Sequence, residues 1–135
     1  MGFNVIDNSM VVSIALPADA STVSTAGIDL LVGSDGDHLA DMELKIAAPA
    51  LATGELGDAA TMIYDVYHDT ASGFGSEALL MDNVITQTGA GGAGAAAQTV
   101  RVRLPVDVNR YVRVKATNSA AGDASGKTLT VSPVF

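Results

Sequence analysis

Polar and apolar residues alternate one by one along much of this chain, in short stretches closed by proline or glycine. In Arg110-Tyr111-Val112-Arg113-Val114-Lys115-Ala116, Val112, Val114 and Ala116 fall on one side and Tyr111, Arg113 and Lys115 on the other. The same pattern runs through Met42 to Ala47, Val100 to Leu104 and Thr128 to Ser132. A period of two is the mark of a half-buried strand, because successive side chains of extended backbone point to opposite faces. Proline removes a backbone donor, and Pro17, Pro49, Pro105 and Pro133 each stand where such a stretch is expected to stop. No segment carries a helical stripe; Glu77 to Met81 admits one helical turn at most.

Further strand candidates are Val11 to Leu16, Ile28 to Val32 and Thr61 to His68. In the last, Met62, Tyr64 and Val66 share one face, and Thr61, Ile63, Asp65 and Tyr67 share the other. Leu79-Leu80-Met81 and Val84-Ile85-Thr86 flank Asp82-Asn83, which suits a short hairpin or a bent strand. Ala18 to Gly27 reads as a loop or weak strand. Gly89 to Ala97 holds nothing larger than a methyl group and reads as a mobile or thinly packed loop. The expected fold is all-β, with about eight short strands. It is a single-domain jelly roll or antiparallel β-sandwich over residues 11–135, with residues 1–10 as an N-terminal arm that shows no period.

Composition agrees. The 135 residues weigh 13.6 kDa, enough to bury about two-thirds of the extended surface. Alanine supplies 22 of the 65 hydrophobic residues and rings only 6, so the core is built of small and β-branched groups. Without cysteine there is no disulfide framework and no thiolate chemistry. Two histidines, His38 and His68, argue against a multi-histidine metal centre. No apolar run reaches the length of a membrane-spanning helix, and the N-terminus lacks the basic-then-apolar pattern of a secretory signal.

Charge is unevenly distributed. Residues 1–100 hold thirteen acids and one base, Lys45, whereas residues 101–135 hold six bases and two acids. A net charge of −8 disfavours nucleic acid and anionic membranes as partners. The split suits contacts between acidic and basic surfaces of neighbouring subunits. If the strands carrying Arg101, Arg103, Arg113 and Lys115 pair, these side chains form one basic stripe, a candidate contact for acidic protein or for another copy of the chain.

The clusters that resemble chemical sites are weak. Asp35-Gly36-Asp37-His38 with Asp41 lacks the spacing of a calcium loop and reads as an Asp-rich turn. Asp65, His68 and Asp69 near Ser72 and Ser76 have no nucleophile elbow around them. Gly89 to Gly94 lacks the Lys-Ser/Thr of a phosphate loop. No catalytic residue, cofactor or metal is assigned, and no enzyme activity is expected.

The stretch Leu104-Pro105-Val106-Asp107-Val108-Asn109-Arg110-Tyr111-Val112-Arg113-Val114-Lys115-Ala116, followed by Gly122 and the strand Lys127 to Val134, resembles the Bbp16-like capsid cement (decoration) proteins of tailed phages. The likeness covers residues 28–135 in layout and about 104–134 in residues. The resemblance implies a jelly roll that assembles as a homotrimer on the outer surface of an icosahedral head, bridging major capsid protein subunits, after synthesis in the host bacterial cytoplasm. It carries no catalytic residues. Phe3, Val5 and Ile6 of the arm, with Arg101, Arg103, Arg113 and Lys115, are the candidate capsid or inter-subunit contacts. The rival expectation is a carbohydrate- or receptor-binding β-sandwich of a phage fibre or spike. It calls for exposed rings converging on a groove, from a chain with no Trp and three Tyr.

Overall fold

Among the described residues, the alternating segments become nine strands. A computed structural model describes residues 10–30 and 42–134. The strands are β1 (Val12–Ala15), β2 (Thr22–Ser24), β3 (Ile28–Asp29), β4 (Glu43–Ala48), β5 (Thr61–Asp69), β6 (Ala78–Thr88), β7 (Gln98–Arg103), β8 (Tyr111–Asn118) and β9 (Thr128–Val134). They form a four-stranded sheet in the order β1-β9-β4-β7 and a five-stranded sheet in the order β2-β8-β5-β6, with β3 also on β8. Every strand pair is antiparallel.

The order has a simple origin. β5 pairs with β6, β4 with β7, β2 and β3 with β8, and β1 with β9. These are the rungs of one long hairpin whose tip lies between β5 and β6. Successive rungs belong alternately to the two sheets, so the hairpin is rolled up on itself. The result is a β-sandwich with jelly-roll topology, and the expected fold class holds.

Inward positions come from the period of two. Leu44, Ile46, Leu129 and Val131 of one sheet face Met62, Tyr64, Val66, Val112, Val114 and Ala116 of the other, all at 0% exposure. Each fully buried Val, Leu, Ile or Met side chain stabilises the fold by about 1.5–3 kcal/mol. Met10, the last residue of the expected arm, packs against this core. The remaining arm residues, including Phe3, Val5 and Ile6, lie outside the described residues, as do Asp35, Asp37, His38 and Asp41.

Several local expectations change. Ala78 to Met81 begins a strand, not a helical turn, because β5 offers a partner edge to Ala78, Leu79 and Met81. β6 is the bent strand and not the hairpin; its register slips between Tyr64 and Val66 and again between Val66 and Tyr67, with Asn83 at φ 49°. β9 runs through Pro133. The last β9 residue paired with β1 is Val131, so the missing donor at Pro133 removes no bond to that strand.

The glycine-rich segment packs thinly against residues 49–58. Leu51 and Ala95 form a bridge, as do Asp58 and Gly89. Gly94 stands at φ +69°, and a Cβ there would meet the Leu51 carbonyl oxygen at 1.9 Å. Gln87 ties this end of the sandwich to the core. Its side-chain oxygen accepts the buried Tyr64 hydroxyl at 2.7 Å, and its amide nitrogen donates to the Pro49 and Ala96 carbonyls at 2.8 and 2.9 Å. Burial pushes the Tyr64 hydroxyl pKa up, so it remains a donor at all ordinary pH.

Two predictions follow from this packing. Replacing Gln87 by Leu orphans a hydroxyl and two carbonyls and is expected to cost about 3 kcal/mol in urea unfolding, of which Tyr64→Phe in the same chain restores about 1 kcal/mol. Gly94→Ala is expected to cost about 2–4 kcal/mol, against about 1 kcal/mol for Gly91→Ala, where φ is also positive but the surrounding space is open.

Candidate functional site

Among the described residues, the outer face of the five-stranded sheet carries the ion pairs of Arg110, Arg113 and Lys115. Its central strands set the rows: Tyr67 stands across from Arg113, Asp65 across from Lys115, and Ile63 across from Thr117. Beyond β5 the chain folds back over this face as a strap, residues 70–77. Asp69 starts it. Its carboxylate accepts the backbone N–H of Ala71 at 3.0 Å and that of Ser76 at 2.9 Å. These bonds hold the Asp69 carboxyl below the usual carboxylate range.

The strap is fastened at two further points. Phe74 is buried against Gly27, where a Cβ would come within 2.5 Å of the ring. Glu77 reaches both cations of β8. One carboxylate oxygen accepts from Arg113 Nε at 2.8 Å, and the other takes the Lys115 ammonium. Burial pushes the Glu77 carboxyl up, and the bonds and charges of Lys115 and Arg113 reverse this, so its pKa lies below the ordinary value. The Arg113 guanidinium lies 4.4 Å from the Phe74 ring centre, and the Lys115 ammonium 4.3 Å from that of Tyr67. Nearby, Arg110 grips Asp29 with two bonds of 2.8 Å and lies 5.2 Å from the ring centre of Tyr111. The rings of Tyr67, Phe74 and Tyr111 therefore each have a cation beside them.

Arg101 and Arg103 are elsewhere. They project from β7, the edge of the four-stranded sheet, whereas Arg113 and Lys115 project from β8 in the other sheet. The single basic stripe expected from the sequence does not form. Equal alternation places side chains on an outer face without specifying which sheet owns it. On the four-stranded sheet Arg103 stands across from Glu43 and Arg101 across from Lys45, with Thr99, Ala47, Thr130 and Ser13 continuing the face.

The groups that resembled a triad are committed to the backbone. His68 Nδ1 accepts the Asn109 N–H at 3.1 Å, Asp65 accepts that of Asn83 at 2.7 Å, and Asp69 holds the strap. Burial pushes the Asp65 carboxyl up; the Asn83 bond lowers it, and neighbouring Asp82 raises it again, leaving it above its ordinary value. Among the described residues no three His, Cys, Asp or Glu side chains are arranged to hold a metal ion. Sequence reasoning missed Phe74 and Glu77. An aromatic residue flanked by glycines, Gly73-Phe74-Gly75, is the signal that a loop there has somewhere to dock.

No family model matches the chain, and no curated protein matches it. One solved structure, titled "CBM4 structure and function", aligns over 99% of this chain and 88% of that chain, with 12% identity and a TM-score of 0.41. The fold assignment rests on the strand order itself.

Glu77 gives the pH prediction. A carboxyl whose folded pKa is depressed contributes stability that is full above its unfolded value, near 4.5, and is lost as pH falls through the folded pKa. Glu77→Gln is expected to cost about 1 kcal/mol at pH 7 and to flatten the loss of stability below pH 4.5, as read from urea midpoints across the acid range.

Proposed function

We propose that this chain is a structural protein of a tailed-phage virion, a capsid cement protein that binds the outside of the head as a homotrimer and stabilises contacts between major capsid subunits. The observation that carries the reading is the resemblance over Leu104 to Val134. That segment builds β8 and β9, which lie inside the order of the five- and four-stranded sheets respectively. The part of the chain that resembles cement proteins therefore supplies one interior strand to each sheet.

The mechanism is interface burial. A contact of standard size buries about 1,600 Å² in total, and many symmetric copies on a lattice act together, so each added contact raises the cost of separating capsid subunits. A rigid body suits this role. The strap, the Gln87 bonds and the packed glycine segment all tie loops to the sandwich. A carbohydrate- or receptor-binding head, the alternative, needs ring faces open for stacking. Tyr67, Phe74 and Tyr111 each have a cation over the ring instead.

The test is the native mass of the purified chain by light scattering. A trimer gives about 41 kDa, three times the 13.6 kDa chain mass, as closed symmetric assembly requires. A mass of one chain overturns the preformed trimer.

A further inference from the structure

The loop from Pro105 to Arg110 carries the chain from β7 in one sheet to β8 in the other, across one end of the sandwich. It is firmly held. Leu104 and Val108 are buried, and the Val108 N–H donates to the Pro105 carbonyl at 3.1 Å. Arg110 is anchored on the far side. Its carbonyl accepts the Leu30 N–H at 2.8 Å, and its guanidinium grips Asp29. Between these anchors the half-buried Asn109 donates its N–H to His68 Nδ1 at 3.1 Å. Held in this way, the loop presents Val106 at 79% exposure.

The bond to His68 differs in kind from the others, because its acceptor can be titrated away. An imidazole that accepts at Nδ1 is neutral and carries its proton on Nε2. A protonated imidazole carries a proton on both nitrogens and accepts nothing. Protonation of His68 therefore sets two N–H groups against each other and leaves the Asn109 amide without its partner. Imidazole is also the side chain whose ordinary charge change falls between pH 5 and 8.

The surroundings leave this exchange to His68. Its cross-strand neighbours are Val112 on β8 and Ala78 on β6, both uncharged. The facing sheet brings Met42 and Leu44 to this end, and the loop brings Leu104 and Val108, all apolar and buried. Charged and titratable groups near it among the described residues have other roles. Asp69 holds the strap, Asp29 and Arg110 hold each other, Tyr111 stands across from Asp69, Tyr67 lies against Lys115, and Asp107 is exposed on the loop.

We propose that His68 is a pH-sensitive latch on the loop from Pro105 to Asn109. Neutral His68 holds the loop down and keeps Val106 in one position. Protonated His68 releases Asn109, so the loop lifts between its remaining anchors and Val108 leaves its seat. The apolar tip is a fixed surface at neutral pH and a mobile one in mild acid. The latch goes beyond the cement reading and does not depend on it.

The experiment is amide hydrogen exchange by NMR on the full chain, with each rate divided by the unstructured-chain rate at the same pH, from about pH 8 to about pH 5. The His68 ring is followed in the same samples. Protection of the Asn109 amide is expected to fall by about tenfold or more as pH falls, with the midpoint of the ring's own titration. The Val114 amide, bonded to Thr25 Oγ1 at 3.1 Å within the core of the sheet, is expected to keep its protection. His68→Asn places an amide oxygen where Nδ1 stands, so its Asn109 amide is expected to stay protected across the range. Asn109 protection that does not change with pH overturns the latch. So does a fall whose midpoint departs from the ring's titration, or one that persists in His68→Asn. Should His68→Asn fail to fold, the coincidence of the two wild-type midpoints decides alone.

Discussion

One buried hydroxyl governs how this sandwich closes. The core is poor in rings, and the one ring at its centre, Tyr64, carries a polar atom into an apolar interior. Left alone, that hydroxyl would cost about 1–3 kcal/mol. Gln87, on the neighbouring strand, answers it and uses its remaining donors on the carbonyls of Pro49 and Ala96. A single amide therefore satisfies the core and fixes the two loops that cover one end of it. The glycines at 89 and 94 are the steric counterpart, since nothing larger fits where those loops approach each other.

The outer faces follow a different logic from the core. On the five-stranded sheet, charge is neutralised locally and lies over rings, and the strap from Asp69 to Glu77 makes that surface part of the fold. On the four-stranded sheet the outer side chains are small or charged, with Glu43 across from Arg103 and Lys45 across from Arg101.

Much of the architecture was legible in the alternation. The inward sets on β4, β5 and β8 are those the period of two selects, because burial on one side of a strand is a strictly local pattern. What the alternation cannot encode is partnership. β7 and β8 look alike in sequence, with Arg101 and Arg103 matching Arg113 and Lys115, yet the rolled hairpin sends them to opposite sheets. The strap was illegible for a related reason: Glu77 meets Arg113 and Lys115 across more than thirty residues of chain, at |i−j| of 36 and 38. Local signals marked only its beginning, an Asp followed by small residues, and the glycine-flanked Phe74.

The bulge on β6 has a consequence for solubility. β6 is an eleven-residue strand at a sheet edge and carries Leu79, Leu80 and Met81, with Leu79 48% exposed. A straight, apolar edge of that length is a template on which other chains can add strands without limit, the route to fibrils. Asp82 and a left-handed Asn83 fall in the middle of it, breaking the run of unpaired donors and acceptors and placing a charge beside the apolar stretch. The strand can then be long enough to complete the sandwich while remaining a poor seed for the addition of further strands.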